Sequence, residues 1–302
     1  MSFAGIKSDV IPPSLFMSDS SWQRLIDTAL AEDLGKEGDL TTLYFISADS
    51  ESHVRMVARE TCALSGVELA ADVFKTVDSS LEIKVLLGSG KRIGPKDVNE
   101  AAILEVSGNT RSILTAERTA LNFAQRLTGI ATHTSAFVDA VAGTGAVILD
   151  TRKTTPGWRL LEKAAVVHGG GQNHRIGLYD RVMIKDNHLA AEDKLTAIQN
   201  GIDALHRDHS GVEVEIEADT LDQVRGFLTL RDVDYILLDN MTEAERREAV
   251  ALAQDSPVKL EASGGIVLDN VRVVAETGVD FISIGALTHS SRSIDLALDA
   301  IS

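Results

Sequence analysis

VEVEIEADTLDQVRGFLTLRDVDYILLDN, residues 212–240, reads as strand, helix and strand again. Its first run alternates Val212, Val214 and Ile216 with Glu213, Glu215 and Glu217, so the three carboxylates share one face. Its last run, YILLD, is apolar and β-rich. Working outward, similar runs begin near 147 (VILD), 182 (VMIK), 258 (VKLEA) and 280 (DFISIG). Helical patterns follow them at 156–166, 189–207, 220–229, 242–254, 266–277 and 293–301. The later strands start about 23 residues apart, the size of a compact βα unit, and such alternation implies a parallel sheet. Six or seven such units favour a TIM-like barrel, related to the (β/α)₈ type, over an open sheet. A doubly wound sheet is the alternative, but no GxGxxG follows the first strand to support a dinucleotide site.

In a parallel barrel the C-terminal strand ends carry the chemistry. Here they read Asp150-Thr151-Arg152-Lys153, Lys185-Asp186-Asn187-His188, Glu217, Asp239-Asn240, Glu261 through Ser263-Gly264-Gly265, and Gly285. If the apolar face of 212–217 packs on helices, its carboxylates point inward, where an unpaired charge is costly. Lys259 and Glu261 alternate likewise. The expectation is interior pairing of lysines with carboxylates, with Glu217 nearest the rim. An edge strand with one solvated face is the other reading. Ser263-Gly264-Gly265 and Gly285 suit a phosphate, because glycine lets backbone N–H groups approach an anion.

TRKTTPGWRLLEKAAVVHGGGQNHR (151–175) gathers cations and glycines in an otherwise acidic chain. Residues 150–188 hold seven Lys/Arg against four Asp/Glu, whereas the chain's formal net charge is -16. The surplus is local, which suits a pocket and excludes general nucleic-acid binding by the surface. Thr155 is expected to cap a helix starting at Pro156, after which a glycine-rich loop returns His174 and Arg175 to the rim. Arginine holds carboxylates bidentately and lysine adds a point charge, so this rim suits a small ligand with two anionic groups. A metal site at His168, His174 and His188 matches no zinc spacing and would have lysines against it.

Upstream, 22–35 reads as an amphipathic helix, and 52–107 as a small α+β unit with a helix at 67–77. Residues 110–142 read as helix in two pieces broken near Gly129. The expected division is an N-terminal α+β domain, 1–125, with its first twenty or so residues loosely ordered, and a barrel domain, 126–302. The lone Cys62 fits a reducing compartment. MSFAGIKSDVIPPSLF lacks an apolar core of signal-peptide length, and no apolar run approaches the ~18 residues of a membrane span. A cytoplasmic protein is expected.

The segments DTRKTTPGWRLLEK, HGGGQNHRIGLYDRVMIKDNH, VEIEADTLDQV, ILLDNM, LEASGGI and ISIGALTHS resemble the quinolinate phosphoribosyltransferase family, as do ERTALNFAQRLTGIATHT and EDLGKEGDLTT. The resemblance covers roughly residues 22–291. It implies an N-terminal α/β domain and an incomplete barrel, with the chain's end packed back on the first domain. It also implies condensation of quinolinate with phosphoribosyl pyrophosphate, with Mg²⁺, to nicotinate mononucleotide, pyrophosphate and carbon dioxide, a step of NAD biosynthesis. Carried over by motif, Arg152, His174 and Arg175 would hold quinolinate. Arg118 would reach the pocket from a second subunit of a homodimer or larger assembly, although from the residues alone it is a solvated helix position. Lys153 and Lys185 would lie between the two substrates, and Glu217 and Asp239 would hold ribose hydroxyls or hydrated Mg²⁺. Ser263, Gly264, Gly265 and Gly285 would cradle the 5-phosphate. No role falls to His168. The other readings are a related transferase with another acceptor, against which the Arg152/His174/Arg175 clamp argues, and a non-catalytic anion-binding barrel.

Overall fold

The computed structural model describes residues 19–185 and 194–301. The expected loose order of the first residues falls almost wholly outside the described residues, as does the polar strand end Asp186-Asn187-His188. The chain divides into two compact units. One is built from Ala136–Thr154 and Gly171–His289, the other from Pro12–Ser135, Thr155–Gly170 and Ser290–Ser302, each in its described parts.

The second of these units opens with α1 (Asp19–Leu34), α2 (Leu40–Phe45), β1 (Glu51–Ala58), β2 (Cys62–Ala63), α3 (Val67–Val77), β3 (Glu82–Val85), β4 (Arg92–Ile93), β5 (Leu104–Asn109) and α4 (Thr110–Ala140). Helix α4 runs unbroken through the expected 125/126 boundary and through Gly129. Glycine is needed there for close approach and breaks nothing: a Cβ on Gly129 would stand 1.9 Å from the Arg292 carbonyl oxygen.

The barrel unit supplies β6 (Val147–Leu149), and the chain then passes through α5 (Arg159–His168). It continues with β7 (Arg181–Ile184), α6 (Lys194–Asp208), β8 (Glu213–Ala218), α7 (Leu221–Phe227), β9 (Tyr235–Asp239), α8 (Glu243–Ala253), β10 (Lys259–Ser263), α9 (Leu268–Ala275), β11 (Phe281–Ser283) and α10 (Ala286–His289). The last element is β12 (Leu296–Ala300). The helix expected at 293–301 is therefore a strand. Ile294, Leu296 and Leu298 recur with period two, and β12 pairs antiparallel with β1, Leu298 opposite Met56. Arg59 clasps Asp299 with two hydrogen bonds of 2.5 and 3.1 Å. The resulting sheet has the order β12-β1-β5-β3.

Helix α5 starts later than expected. Gly157 has φ +84°, a left-handed conformation that a helix cannot continue through, so Pro156 lies in a turn and Arg159 begins the helix. Thr155 does not cap it. Instead, buried Glu162 reaches back to accept from the Thr155 amide (3.1 Å) and hydroxyl (2.8 Å).

Six parallel strands form the other sheet, in the order β6-β11-β10-β9-β8-β7. Its alternation is the one expected from VEVEIE. Val214, Ile216, Ile236, Leu238, Leu260, Ala262 and Ile282 are buried on one face, while Glu215 and Glu261, also fully buried, belong to the other. Burying a branched aliphatic side chain is worth about 1.5–3 kcal/mol, which fixes this register against a one-residue slip. Strands β6 and β7 are not paired. A parallel bridge from Leu149 to Gln172 adds a partial strand beside β6. The barrel is thus incomplete, and residues 172–175 continue from that bridge.

Candidate active site

The register aligns the strand ends. Met183 stands opposite Glu215, Glu217 opposite Leu237, Ser263 opposite Asp239, and Ser283 opposite Leu149. Two residues beyond Met183 and Glu215, Lys185 reaches Glu217 in a close ion pair. The rim therefore carries cations at its β6 and β7 ends, carboxylates on β8 and β9, and glycines after β10 and β11.

Arg152 and Lys153 follow β6. The Lys153 carbonyl accepts from the Thr288 hydroxyl at 2.7 Å, which pins this loop to α10. Gly285 lies against the lysine stem: an added Cβ would come within 2.9 Å of Lys153 Cδ and 3.2 Å of His289 Nε2. Gly264, at φ +88°, packs on Asn240, whose Oδ1 would stand 2.1 Å from a Cβ. Gly265 is also left-handed (φ +62°), with no atom within 4 Å of its missing Cβ. Ser263, Gly264, Gly265 and Gly285 thus end adjacent strands, as a phosphate cradle requires.

His174 is buried, with both ring nitrogens turned inward. Nδ1 accepts from the Arg175 amide at 2.7 Å. Nε2 lies between Glu215 Oε2 (3.0 Å) and Glu261 Oε2 (3.4 Å). Burial works against a charge on the ring, but the two carboxylates outweigh it and raise His174 to about 10. Burial and the Glu261 charge push Glu215 upward, against the pull of His174 and Arg181. Glu261 is held ionised against its own burial by His174 and the Ser283 hydroxyl.

Arg181 completes this interior. It bonds Glu213 (2.9 Å), approaches Glu215 (3.7 Å) and stacks over the Tyr235 ring at 4.1 Å. The interior pairing is thus mainly histidine and arginine with glutamate, not lysine. Lys259 is exposed and pairs with Asp280 at 2.8 Å. Asp150, fully buried, accepts from Asn173 Nδ2 (2.6 Å) and the His174 amide (2.9 Å), fixing the returning loop.

Arg175 donates to the Arg181 carbonyl at 3.1 Å and, through Nη2, to Met183 Sδ at 3.6 Å. Burial and the neighbouring Arg152 charge lower its pKa. Arg152 Nε is buried with no hydrogen-bond partner. Two guanidiniums near enough to repel, one with an orphaned donor, make a site for an anion.

On the opposite side Glu217, Asp219 and Asp239 bring one carboxylate oxygen each within 4.8 Å of one another. That all-oxygen set suits a hard divalent cation such as Mg²⁺, although Lys185 already pairs with Glu217 and competes with it there. His174, Glu215 and Glu261 are equally close together, but Arg181 already balances them, and a metal would be repelled. Asp219 and His289 escape a reading of the sequence, although each leaves a signal: Asp219 continues the two-residue period of Glu213, Glu215 and Glu217, and His289 lies one helical turn beyond Gly285. His168 is bound to the Ser65 hydroxyl at 2.9 Å within the other unit, a structural tie. Arg118 lies exposed on α4, also in that unit.

Comparison with known proteins agrees along nearly the whole chain. Residues 39–128 match the family described as Quinolinate phosphoribosyl transferase, N-terminal domain, and residues 130–299 match its C-terminal domain. The chloroplastic carboxylating nicotinate-nucleotide pyrophosphorylase of Oryza sativa subsp. japonica is 39% identical over 289 residues, which cover 91% of this chain and 76% of that protein. A probable enzyme of the same name from Synechocystis is 38% identical, covering 90% of each. The nicotinate-nucleotide pyrophosphorylase structure from Francisella tularensis superposes with TM-score 0.85 at 36% identity, covering 98% of this chain and 99% of that one. With two domain matches end to end and relatives above a third identical, this chain belongs to the quinolinate phosphoribosyltransferase family.

Proposed function

We infer that this chain transfers the phosphoribosyl group of phosphoribosyl pyrophosphate to the ring nitrogen of quinolinate, releasing pyrophosphate and carbon dioxide and leaving nicotinate mononucleotide. The observation that carries this reading is the Arg152–Arg175 pair with its orphaned buried Nε, set on the same rim as a glycine cradle and a carboxylate trio. The two arginines supply the charge that a pyridine dicarboxylate needs and aim its nitrogen at C1 of the sugar. Backbone at Ser263, Gly264, Gly265 and Gly285 takes the 5-phosphate. Lys153 and Lys185 stand on the rim as point charges for the carboxylate and pyrophosphate oxygens. Carboxylates of Glu217 and Asp239, with Asp219, face the ribose and stabilise the cationic sugar formed as pyrophosphate departs. Mg²⁺ held by that trio, directly or through water, would neutralise the leaving group. Once ribosylated, the ring nitrogen is cationic and stabilises the electron pair left on C2 as the 2-carboxylate departs as carbon dioxide, and a proton from solvent then forms the C2–H bond. Arg118, exposed on α4, completes the pocket of a second copy in a homodimer. Among the described residues no helix is long and apolar enough to cross a membrane, and we place the reaction in the cytoplasm.

The test is direct. Purified protein with quinolinate, phosphoribosyl pyrophosphate and Mg²⁺ should release carbon dioxide and pyrophosphate in equal amounts, and nicotinate in place of quinolinate should give neither. Absence of turnover by folded protein would refute the assignment.

A further inference from the structure

His174 lies beside the arginine clamp, yet neither ring nitrogen is free to face a ligand. Nδ1 receives the Arg175 amide, and Nε2 sits between Glu215 and Glu261. Arg175 rests on this cluster at both ends. Its amide is held by His174, and its guanidinium by the carbonyl of Arg181, whose own side chain is held by Glu213 and Glu215. We propose that Glu215 and Glu261 are positioning residues for quinolinate: they form a buried counter-charge that keeps the Arg175 guanidinium beside Arg152 when the pocket is empty.

Two physical considerations support this. A buried charge network is a weak way to gain stability, since apolar side chains of similar volume commonly do as well or better. Two fully buried glutamates in a barrel interior that elsewhere packs Leu237 and Leu149 therefore call for another reason. Moreover, arginines gathered for a dianion repel one another until it arrives. The Glu215 charge acts on Arg175 against that of Arg152 and offsets part of it. Glu261 is kept ionised against its burial chiefly by His174, with Ser283 on the neighbouring strand adding to that pull. Glu217, two residues on, faces the sugar side instead, so one strand serves both substrates.

This inference rests on the substrate assignment above, and its test separates the two. Glu215→Gln and Glu261→Gln keep the shape and remove the charge. Calorimetry should show quinolinate binding weakened about tenfold or more in each, the scale expected when a clamp is misplaced by a fraction of an ångström. The affinity for phosphoribosyl pyrophosphate, and kcat at saturating quinolinate, should stay within about threefold. A purely structural role would lower the unfolding midpoint but leave quinolinate affinity of the folded protein unchanged, and that result would overturn the proposal. Should the glutamate variants not fold, Ser283→Ala decides. A loss of about two- to fivefold in quinolinate affinity supports the proposal, and an unchanged value overturns it. No binding of quinolinate by the unaltered chain would instead remove the substrate assignment itself.

Discussion

A buried guanidinium nitrogen without a partner is a costly thing to leave in a folded protein, and Arg152 carries one. The cost makes sense if a carboxylate arrives to satisfy it. Arg152→Ala should therefore weaken quinolinate binding by about 2–5 kcal/mol, the loss typical of breaking a buried charge pair, as titration calorimetry would measure. Gly264 is a residue of the opposite kind, chosen for what it lacks. At φ +88° and with Asn240 Oδ1 only 2.1 Å from a would-be Cβ, Gly264→Ala should cost about 1–3 kcal/mol in unfolding free energy. It should also raise KM for phosphoribosyl pyrophosphate more than for quinolinate. Residue types told much of this in advance, because arginines, lysines and paired glycines at strand ends have few bland explanations together. Direction is what they withheld. Nothing in the letters shows that the His174 ring turns inward or that Lys259 leaves the barrel for Asp280.

Elements were legible where one period dominated. The alternation in VEVEIE showed the strand and favoured inward carboxylates over a solvated edge, and the buried face of α3 falls on helical spacing at Val67, Ala70, Val73 and Phe74. Where two periods compete, contacts far along the chain decide. Residues 294–300 can be written as helix or strand, and pairing with β1 selects strand. Gly129 resembles a helix break until the Arg292 backbone lying against it is seen. Helix starts were clearer than their caps. Thr242 and Glu245 bond each other reciprocally at the start of α8. Thr242→Ala should lower stability by about 1 kcal/mol in chemical denaturation, while both Michaelis constants stay within about twofold.

For the whole molecule, the His174 cluster predicts a pH dependence with a definite sign. Folding raises His174 from 6.5 to about 10, so the native state keeps a proton that the unfolded chain gives up first. The stabilisation is complete below pH 6.5 and is lost as the pH climbs toward 10. Denaturation midpoints measured across that range should fall in the unaltered protein, and the fall should be shallower in His174→Gln. The proposed sharing of the site between copies makes a separate prediction. Arg118→Ala and Arg152→Ala should each be nearly inactive alone. Unfolded together and reassembled as random dimers, they should recover about a quarter of the normal rate, because half the dimers are mixed and each mixed dimer has one intact site. No recovery would confine Arg118 to its own subunit. Strand β12 carries a last consequence. It lies between solvent and β1, and the clasp of Arg59 on Asp299 spans 240 residues of sequence. During synthesis the parallel barrel can therefore be complete while the earlier-made sheet still waits, its outer strand exposed to solvent. The nascent chain finishes in reverse order, and an unprotected β1 is the place where a slow ribosome would invite aggregation.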